Sequence, residues 1–298
     1  MPSFVQRAGR LPRLGLGVST EYGAIRSAGA LDPTALRASH PQFAGFLEVG
    51  VETAKGLDES ARDWAAHRWP TTYHFLDINL DEPEDFDPRW LSEVRELIKV
   101  LRPAWLCGDA GLWHFGPRER GHMLLLPPVL TVDAVGPMAS GLARLREETG
   151  HEVLPENPPG HVFLGDLHLL DFFARVAESA DTGLLLDCAH LAIYQRLAGH
   201  DPLTGLDGFP LDRVIELHVA GARTFTHEGL ELVEDDHTPE PLAETWRIFE
   251  HVAARAPNLK AIVFECEKNP LQDCLPGFAR LQALGGSAVA GSRLGAKR

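Results

Sequence analysis

The sequence lacks any hydrophobic run that approaches the roughly 20 residues of a membrane-spanning helix. Its N-terminal segment also lacks the apolar core of a signal peptide. Basic residues are scarce, because 28 Lys and Arg stand against 42 Asp and Glu, and the formal net charge is −14. This balance opposes non-specific attraction to nucleic acid and to anionic membranes. We therefore expect a cytoplasmic protein with neither a membrane nor nucleic acid as its partner.

Several sequence signatures of common sites are also missing. The four cysteines have the spacing of neither CxxC zinc motifs nor a disulfide framework, which argues against a purely structural zinc site. The segment GLGVST (15–20) lacks the G-x-G-x-x-G spacing of a dinucleotide site. No P-loop and no G-x-S-x-G nucleophile elbow occurs.

What the sequence does contain is a series of short, β-rich apolar segments separated by helical patterns. Several are continuous apolar runs, which are typical of parallel strands covered by helices. The pattern predicts eight strands, at 13–18, 45–49, 71–76, 104–107, 152–156, 183–187, 213–218 and 260–265. It predicts helices at 88–103, 132–150, 167–180, 241–257 and 272–284. We expect an α/β fold, a single-domain (β/α)8 TIM barrel over 1–284, with a flexible tail at 285–298.

Residues of the types that bind metals follow the strand-like segments in a set order. They are His74, Glu156, Asp187, His190, His218, Asp235, His237 and Glu265. In a barrel of this kind the active site lies at the carboxyl ends of the strands, so these side chains would converge. Imidazole combined with carboxylate suits Fe, Zn or Mn, whereas a calcium site would be all oxygen. The sequence therefore predicts a multinuclear metal centre.

Two motifs supply ligands in pairs. Asp187 and His190 form a D-x-x-H at a predicted strand-to-loop transition. Asp235 and His237 form a D-x-H, and residues two apart in an extended segment point the same way. The acidic run at 77–87 shows no ligand-like spacing, and we expect a solvated loop there. The long segment 108–131 is expected to extend over the mouth of the barrel and to form one wall of an open, peptide-sized groove.

The ordered set of motifs resembles the multinuclear non-heme iron-dependent oxidative enzymes, a barrel family that modifies ribosomally made peptides. It lies within the xylose-isomerase-like superfamily. The matching segments are GLGV (15–18), FLEVGVE (46–52), YHFLDINL (73–80), PENPP (155–159), LLLDCAHLAIY (184–194), IELHVAG (215–221), DDHTPEPLAETW (235–246) and VFECE (263–267). The resemblance implies two or three iron ions and O2 as co-substrate. It also implies oxidation of a cysteine or a neighbouring residue in a precursor peptide, which a partner protein often presents.

This chain departs from that family's pattern at two positions. Ala110 stands where a ligand histidine is usual, and His190 stands where the family commonly has asparagine. Six further residues are therefore candidates for a substitute ligand or a substrate contact: Asp109, His114, Glu48, Asn157, Trp113 and Arg223.

Three other functions stay open, the first of them because the D-x-x-H form also resembles the endonuclease IV barrel. A zinc phosphodiesterase acting on abasic DNA is opposed by the negative charge. A sugar isomerase or epimerase with one divalent metal would need fewer ligands than the sequence contains. A metal-dependent binding module without catalysis would not need so many ligand residues on one face.

Overall fold

Eight parallel strands close into a barrel in the computed structural model, which describes residues 2–20, 29–116, 120 and 124–289. They are β1 (Gly15–Ser19), β2 (Phe46–Val51), β3 (Thr71–Phe75), β4 (Leu106–Asp109), β5 (Val153–Glu156), β6 (Leu184–Asp187), β7 (Val214–His227) and β9 (Ala261–Glu265). Strands β1 to β6 pair in sequence order, and β7 closes the barrel between β6 and β9, which pairs with β1. All eight predicted strands are present, and the predicted (β/α)8 barrel is confirmed.

The helices that cover the barrel include the five that the sequence predicted. The described helices are α1 (Phe4–Ala8), α2 (Pro33–Ser39), α3 (Glu59–Ala66), α4 (Pro88–Leu101), α5 (Val132–Thr149), α6 (Leu169–Ala180), α7 (Cys188–Leu197), α8 (Ala243–Ala253) and α9 (Leu271–Val289). The helices α1, α2, α3 and α7 were not predicted, because they have at most 10 residues and show too few turns of helical periodicity. None of the described helices has the length and apolar character needed to cross a membrane.

The last helix reaches further than expected. Residues 285–289 belong to α9 rather than to a flexible tail. The rest of the predicted tail, 290–298, lies outside the described residues.

The amino end of the barrel is closed by apolar packing. Phe4 of α1 lies in a buried cluster with Phe46, Trp105 and Ile215, which come from or precede three different strands. Arg7 of the same helix donates two hydrogen bonds to the buried Glu152, at 2.7 and 3.1 Å. This end is therefore filled and its buried charge is paired, which leaves the carboxyl ends of the strands as the place for chemistry.

Strand β7 is much longer than predicted, with 14 residues. Its outer half pairs antiparallel with β8 (Leu230–Thr238), and the two form a ribbon that leaves the barrel and returns to its mouth. The two turn residues, Glu228 and Gly229, both have positive φ, as a tight two-residue hairpin turn requires. The ribbon matters for the site because β8 carries Asp235 and His237.

The acidic run at 77–87 is only partly the solvated loop that was expected, because Asp81 and Glu84 are exposed whereas other members of the run are buried. Asp77, Asn79 and Asp85 are completely buried. Asp77 accepts hydrogen bonds from the Thr53 amide and the Trp90 indole, at 2.8 and 3.1 Å. These short polar side chains satisfy backbone and indole N–H groups inside a folded loop, so their charge does not indicate exposure.

Within the segment 108–131, two β-bridges order the described residues. Leu112 pairs with Leu126, and Leu130 pairs with Gly165 of the β5–α6 loop. Residues 117–119 and 121–123 lie outside the described residues. That this segment forms a wall of a peptide groove stays a prediction.

Candidate metal centre

Ligand-type side chains meet at the carboxyl ends of the barrel strands. Among the described residues, five groups each place three ligand atoms within 4.8 Å of one another. Three of them are joined through Glu156 and Asp187: His74–Asp109–Glu156, Glu156–Asp187–His190 and Asp187–His218–Glu265. The other two, Glu48–His74–His218 and Glu48–Cys107–Glu216, share Glu48. Because Glu156 and Asp187 each belong to two groups, either carboxylate is placed to bridge neighbouring ions, the arrangement that a multinuclear centre needs.

The remaining two predicted ligands, Asp235 and His237, complete the cluster from β8. Asp235 Oδ2 lies 3.1 Å from Nε2 of His190 and 3.1 Å from Nε2 of His237. His237 has a left-handed backbone, with φ of 54°. The sequence pattern predicted a regular extended segment here. The two side chains instead meet across a bend. All eight predicted ligands lie in one connected cluster.

Asp187 and His190 are positioned by the start of α7. Strand β6 runs directly into this helix, so the predicted strand-to-loop transition is a strand-to-helix one. Asp187 is the N-cap residue, and its Oδ1 accepts a hydrogen bond from the His190 amide at 2.5 Å. The ring of His190 is oriented by Nδ1, which donates to the Asn157 carbonyl oxygen at 2.9 Å. The helix start thus turns both side chains towards the cluster.

Of the six candidates for a substitute ligand or a substrate contact, Asp109 joins the cluster and His114 does not. Asp109 ends β4 in register with Glu156, and its carboxylate oxygens lie 4.0 Å from His74 Nε2 and 3.7 Å from His190 Nδ1. The His114 ring is engaged elsewhere. Its Nδ1 donates to the Gly116 carbonyl at 2.7 Å, and its Nε2 lies 2.9 Å from Asp85 Oδ2.

The other four candidates have different positions. Trp113 lines the cavity over the cluster and donates its indole N–H to the Asp109 carbonyl at 3.0 Å. Glu48 lies deeper in the barrel, with Oε1 3.0 Å from His218 Nε2. Asn157 exchanges two hydrogen bonds with the backbone of Asp187 and so positions that ligand. Arg223 is not part of the cluster, because it lies on the ribbon with its side chain 63% exposed and pairs with Glu234 and Asp236.

Two buried carboxylates at the site were not singled out from the sequence. Glu267 accepts a hydrogen bond from His237 Nδ1 at 2.8 Å and another from Ser19 at 3.1 Å. Glu216 lies below His218 on β7 and accepts a hydrogen bond from the Trp105 indole at 2.7 Å. Both occur two residues from a predicted ligand, Glu265 and His218, and that alternation was the available signal.

The cluster is strongly electronegative. The carboxylates outnumber the imidazoles: Glu48, Asp109, Glu156, Asp187, Asp235, Glu265 and Glu267 surround His74, His190, His218 and His237. In the described part of the chain, Asp109 Oδ1, Asp187 Oδ2 and Asp235 Oδ1 are buried and accept no hydrogen bond. Buried oxygens of this kind are costly unless a cation or a donor meets them. The donor set and its excess charge therefore fit bound metal cations.

The pKa values of the cluster residues reflect the same excess of carboxylates. Burial raises the pKa of Asp187 to about 7, with His190 opposing and Glu265 adding to the effect. Burial alone would lower the pKa of His74, but its hydrogen bond with Glu156 and the charge of Glu48 raise that pKa to about 9. Without cations the imidazoles thus keep protons that balance the carboxylates, and metal ions would displace these protons on binding.

The cavity above the cluster is small. It has a volume of about 120 Å³ and is lined by ligand residues together with Leu76, Trp113, Leu125 and Pro159. Its apolar side limits the access of water, whereas its floor is made of carboxylate and imidazole groups. A cavity of this size admits one side chain of a larger substrate.

Comparison with solved structures shows the fold. A xylose isomerase-like TIM barrel protein from Mycobacterium smegmatis, solved in complex with magnesium, superimposes with a TM-score of 0.60 at 12% identity. The match covers 97% of this chain and 100% of that one. The 3-keto-D-glucoside 4-epimerase from E. coli superimposes with a TM-score of 0.52 at 11% identity, covering 91% and 100% of the two chains.

Comparison with curated sequences and family models shows the family. A UPF0276 protein from Nitrosospira multiformis is 26% identical over 252 residues, which is 83% of each chain. A UPF0276 protein from an Anaeromyxobacter species is 24% identical over 220 residues, covering 73% of this chain and 74% of the relative. The family model described as RiPP precursor modification enzyme MbnB/TglH/ChrH matches residues 31–283. The chain that folds into this barrel and carries this cluster belongs to the MbnB/TglH/ChrH family of RiPP precursor modification enzymes.

Proposed function

We propose that this protein is an iron-dependent oxidase or oxygenase that uses O2 to modify a ribosomally made precursor peptide at a cysteine or a neighbouring residue. The observation that carries the proposal is the set of three ligand groups joined by Glu156 and Asp187, in a chain whose family modifies such precursors. We expect a site of this composition to hold two or three ions. Imidazole and carboxylate ligands together suit iron.

The ligands would be the eight predicted residues together with Asp109. Iron held there would supply one-electron chemistry and open positions for O2 and a substrate thiolate. The protein contributes ligand geometry. Glu48 and Glu267 hold the far nitrogens of His218 and His237, which sets the orientation and basicity of those imidazoles. The capping hydrogen bond that the His190 amide donates to Asp187 ties two further ligands to one helix start.

The substrate proposal follows from the size of the cavity. About 120 Å³ accommodates the side chain that reacts, so the flanking residues of a peptide would lie on the rim of the barrel. Leu76, Leu125 and Pro159 shield that side chain from water on the apolar side. A partner protein that presents the peptide is part of the same proposal.

Oxygen uptake tests the proposal. Protein purified and loaded with iron(II) without air is mixed with O2 and with each cysteine-containing precursor encoded beside its gene. We expect one precursor to increase oxygen consumption and to change in mass, whereas the matched Cys→Ser peptide does neither. A Glu156→Gln variant should bind less metal and lose the activity, while Arg223→Gln on the ribbon should keep both.

Two other outcomes would contradict the proposal. Cleavage of abasic duplex DNA by the zinc-loaded protein, with no response to any precursor, would identify a phosphodiesterase. Isomerisation of a free sugar with one divalent ion per chain would identify an isomerase or epimerase.

A further inference from the structure

Apolar side chains are exposed together on one part of the barrel rim. Val129, Val132, Val162 and Leu164 are between 50 and 68% exposed. The two segments that carry them are adjacent, because Leu130 bridges to Gly165 and its amide donates to the Leu164 carbonyl at 2.7 Å. These four residues form one continuous surface, here called the rim patch, and such surfaces commonly mark binding sites.

A groove opens beside the rim patch. It has a volume of about 260 Å³, and its lining includes Leu130, Phe163, Leu164, Leu167, Tyr194 and Leu197. None of the described residues that line it carries a carboxylate, an ammonium or a guanidinium group. The volume is below the range of about 300–1,000 Å³ that is usual for drug-sized ligands. The groove therefore suits one large apolar side chain.

One short segment of backbone joins the groove to the cavity of about 120 Å³ above the ligand cluster, here called the metal cavity. Pro159 lines the metal cavity, whereas Phe163 and Leu164 line the groove. Between them, His161 bonds through Nε2 to the Val233 carbonyl at 2.8 Å, which ties the segment to β8. Four to five residues of extended chain span at most roughly 13–18 Å. A peptide lying along this segment would cover the distance with a similar number of residues.

We propose that the groove binds an apolar side chain of the substrate peptide, four to five residues from the residue that enters the metal cavity. This inference rests on the proposed function. The occupant is the substrate peptide because the metal cavity holds one side chain, so the rest of the peptide must cross the rim. The segment 159–164 leads directly from that cavity to the groove. Recognition at this distance selects a precursor without adding contacts at the reacting atoms.

A set of defined peptides tests the inference. The probes are 13-residue Gly/Ser peptides with a central cysteine and one leucine, placed at each position from one to six residues away on either side. A matched set has serine in place of the cysteine. Affinity is measured by fluorescence anisotropy with the zinc-loaded protein, so that no reaction occurs. The protein variants are Val162→Ser and Leu164→Ser on the rim patch, and Val100→Ser, which changes a 49% exposed valine of α4.

We expect leucine at four or five residues from the cysteine, on one side only, to tighten binding about tenfold. Leu164→Ser, which changes a residue that lines the groove, should lose this gain. Val162→Ser, beside the groove, should lose less of it, and Val100→Ser should keep it. Cysteine-dependent binding with no preference for the position of leucine, or a preference that the rim-patch variants retain, overturns this inference and leaves the proposed function standing. A protein dimer that the rim-patch variants dissociate, with peptide affinity unchanged, also overturns it. No difference between the cysteine and serine peptides contradicts the proposed function and this inference with it.

Discussion

The two ends of the barrel differ in whether their buried carboxylates are fully hydrogen-bonded. At the amino end, Glu152 accepts two hydrogen bonds from Arg7 and one from Thr182, so its charge is paired and its oxygens are satisfied. At the carboxyl end, Asp109, Asp187 and Asp235 each bury an oxygen that accepts no hydrogen bond from the described residues. The amino end contributes stability, whereas the carboxyl end keeps buried carboxylate oxygens that are placed to bind cations.

Packing shows the same difference. The amino end is filled by a cluster that includes Phe4, Phe46 and Trp105. The carboxyl end keeps a cavity of about 120 Å³ above the ligands. Changes at the two ends should therefore have separable effects on metal binding and on folding.

The largest expected effect is on activity and follows Asp187→Asn. Asparagine can still cap α7, but it removes the charge shared by two ligand groups. We expect the activity to fall by more than the 10- to 100-fold typical of losing a residue that only supports a ligand, together with a lower metal content. The free energy of unfolding of the metal-free protein should stay the same or rise, because a buried carboxylate is removed. Urea denaturation of the metal-free protein checks this, and a large loss of stability would contradict the account.

Phe4→Ala tests the opposite end of the barrel. Phe4 is 1% exposed, and its removal leaves a void among the residues that close the amino end. We expect the free energy of unfolding to fall by about 3–5 kcal/mol. Metal content per folded chain should be unchanged under native conditions. A variant that loses metal before it loses structure would show that the two ends are not separable.

Glu267→Gln should have an intermediate effect on metal affinity. Glutamine keeps the shape of the side chain but weakens the hydrogen bond that orients His237. We expect affinity for the metal to fall by about 10- to 100-fold, measured by competition with a chelator. The unfolding midpoint of the metal-free protein should fall as well, because the buried His237 loses its carboxylate partner. Glu250→Gln on the exposed face of α8 is the matched control and should change neither quantity. Unchanged affinity in Glu267→Gln would show that Glu267 plays no part in positioning His237.

The smallest effect concerns pH and the amino end. Burial opposes ionisation of Asp181, but the Phe4 amide and Arg7 together hold its pKa below the usual range. Because the pKa of Asp181 is lower in the folded than in the unfolded state, its ionised form stabilises the fold at pH values above the unfolded-state pKa. This stabilisation is lost as the pH falls through the folded-state pKa. Asp181→Asn should therefore cost less than about 1 kcal/mol at neutral pH, because the side chain is partly exposed. The difference from the parent protein should vanish in acid, and urea titrations at neutral and acidic pH would show whether it does.

The sequence predicted the positions of candidate ligands correctly wherever the order of the strands alone determines them. The residues at the carboxyl ends of β3, β5, β6 and β9, and His218 in the barrel half of β7, could be placed together because parallel strands bring their carboxyl ends to one side. The roles of Glu267 and Asp85 could not be predicted, because each depends on which histidine a loop brings within hydrogen-bonding distance. His114 pairs with Asp85 and so lies outside the cluster. Asp109, next to Ala110, is the carboxylate that joins the cluster. The ribbon was missed because the predicted strand ended where β7 leaves the barrel.

Metal analysis of protein purified without air from iron-replete cells is the sharpest test of a multinuclear iron centre. We expect more than one equivalent of iron per chain, reduced by Asp187→Asn and retained by Phe4→Ala. One metal ion or none per chain in the parent protein would contradict a multinuclear centre. Three zinc ions without iron would contradict the oxidative assignment and favour a phosphodiesterase.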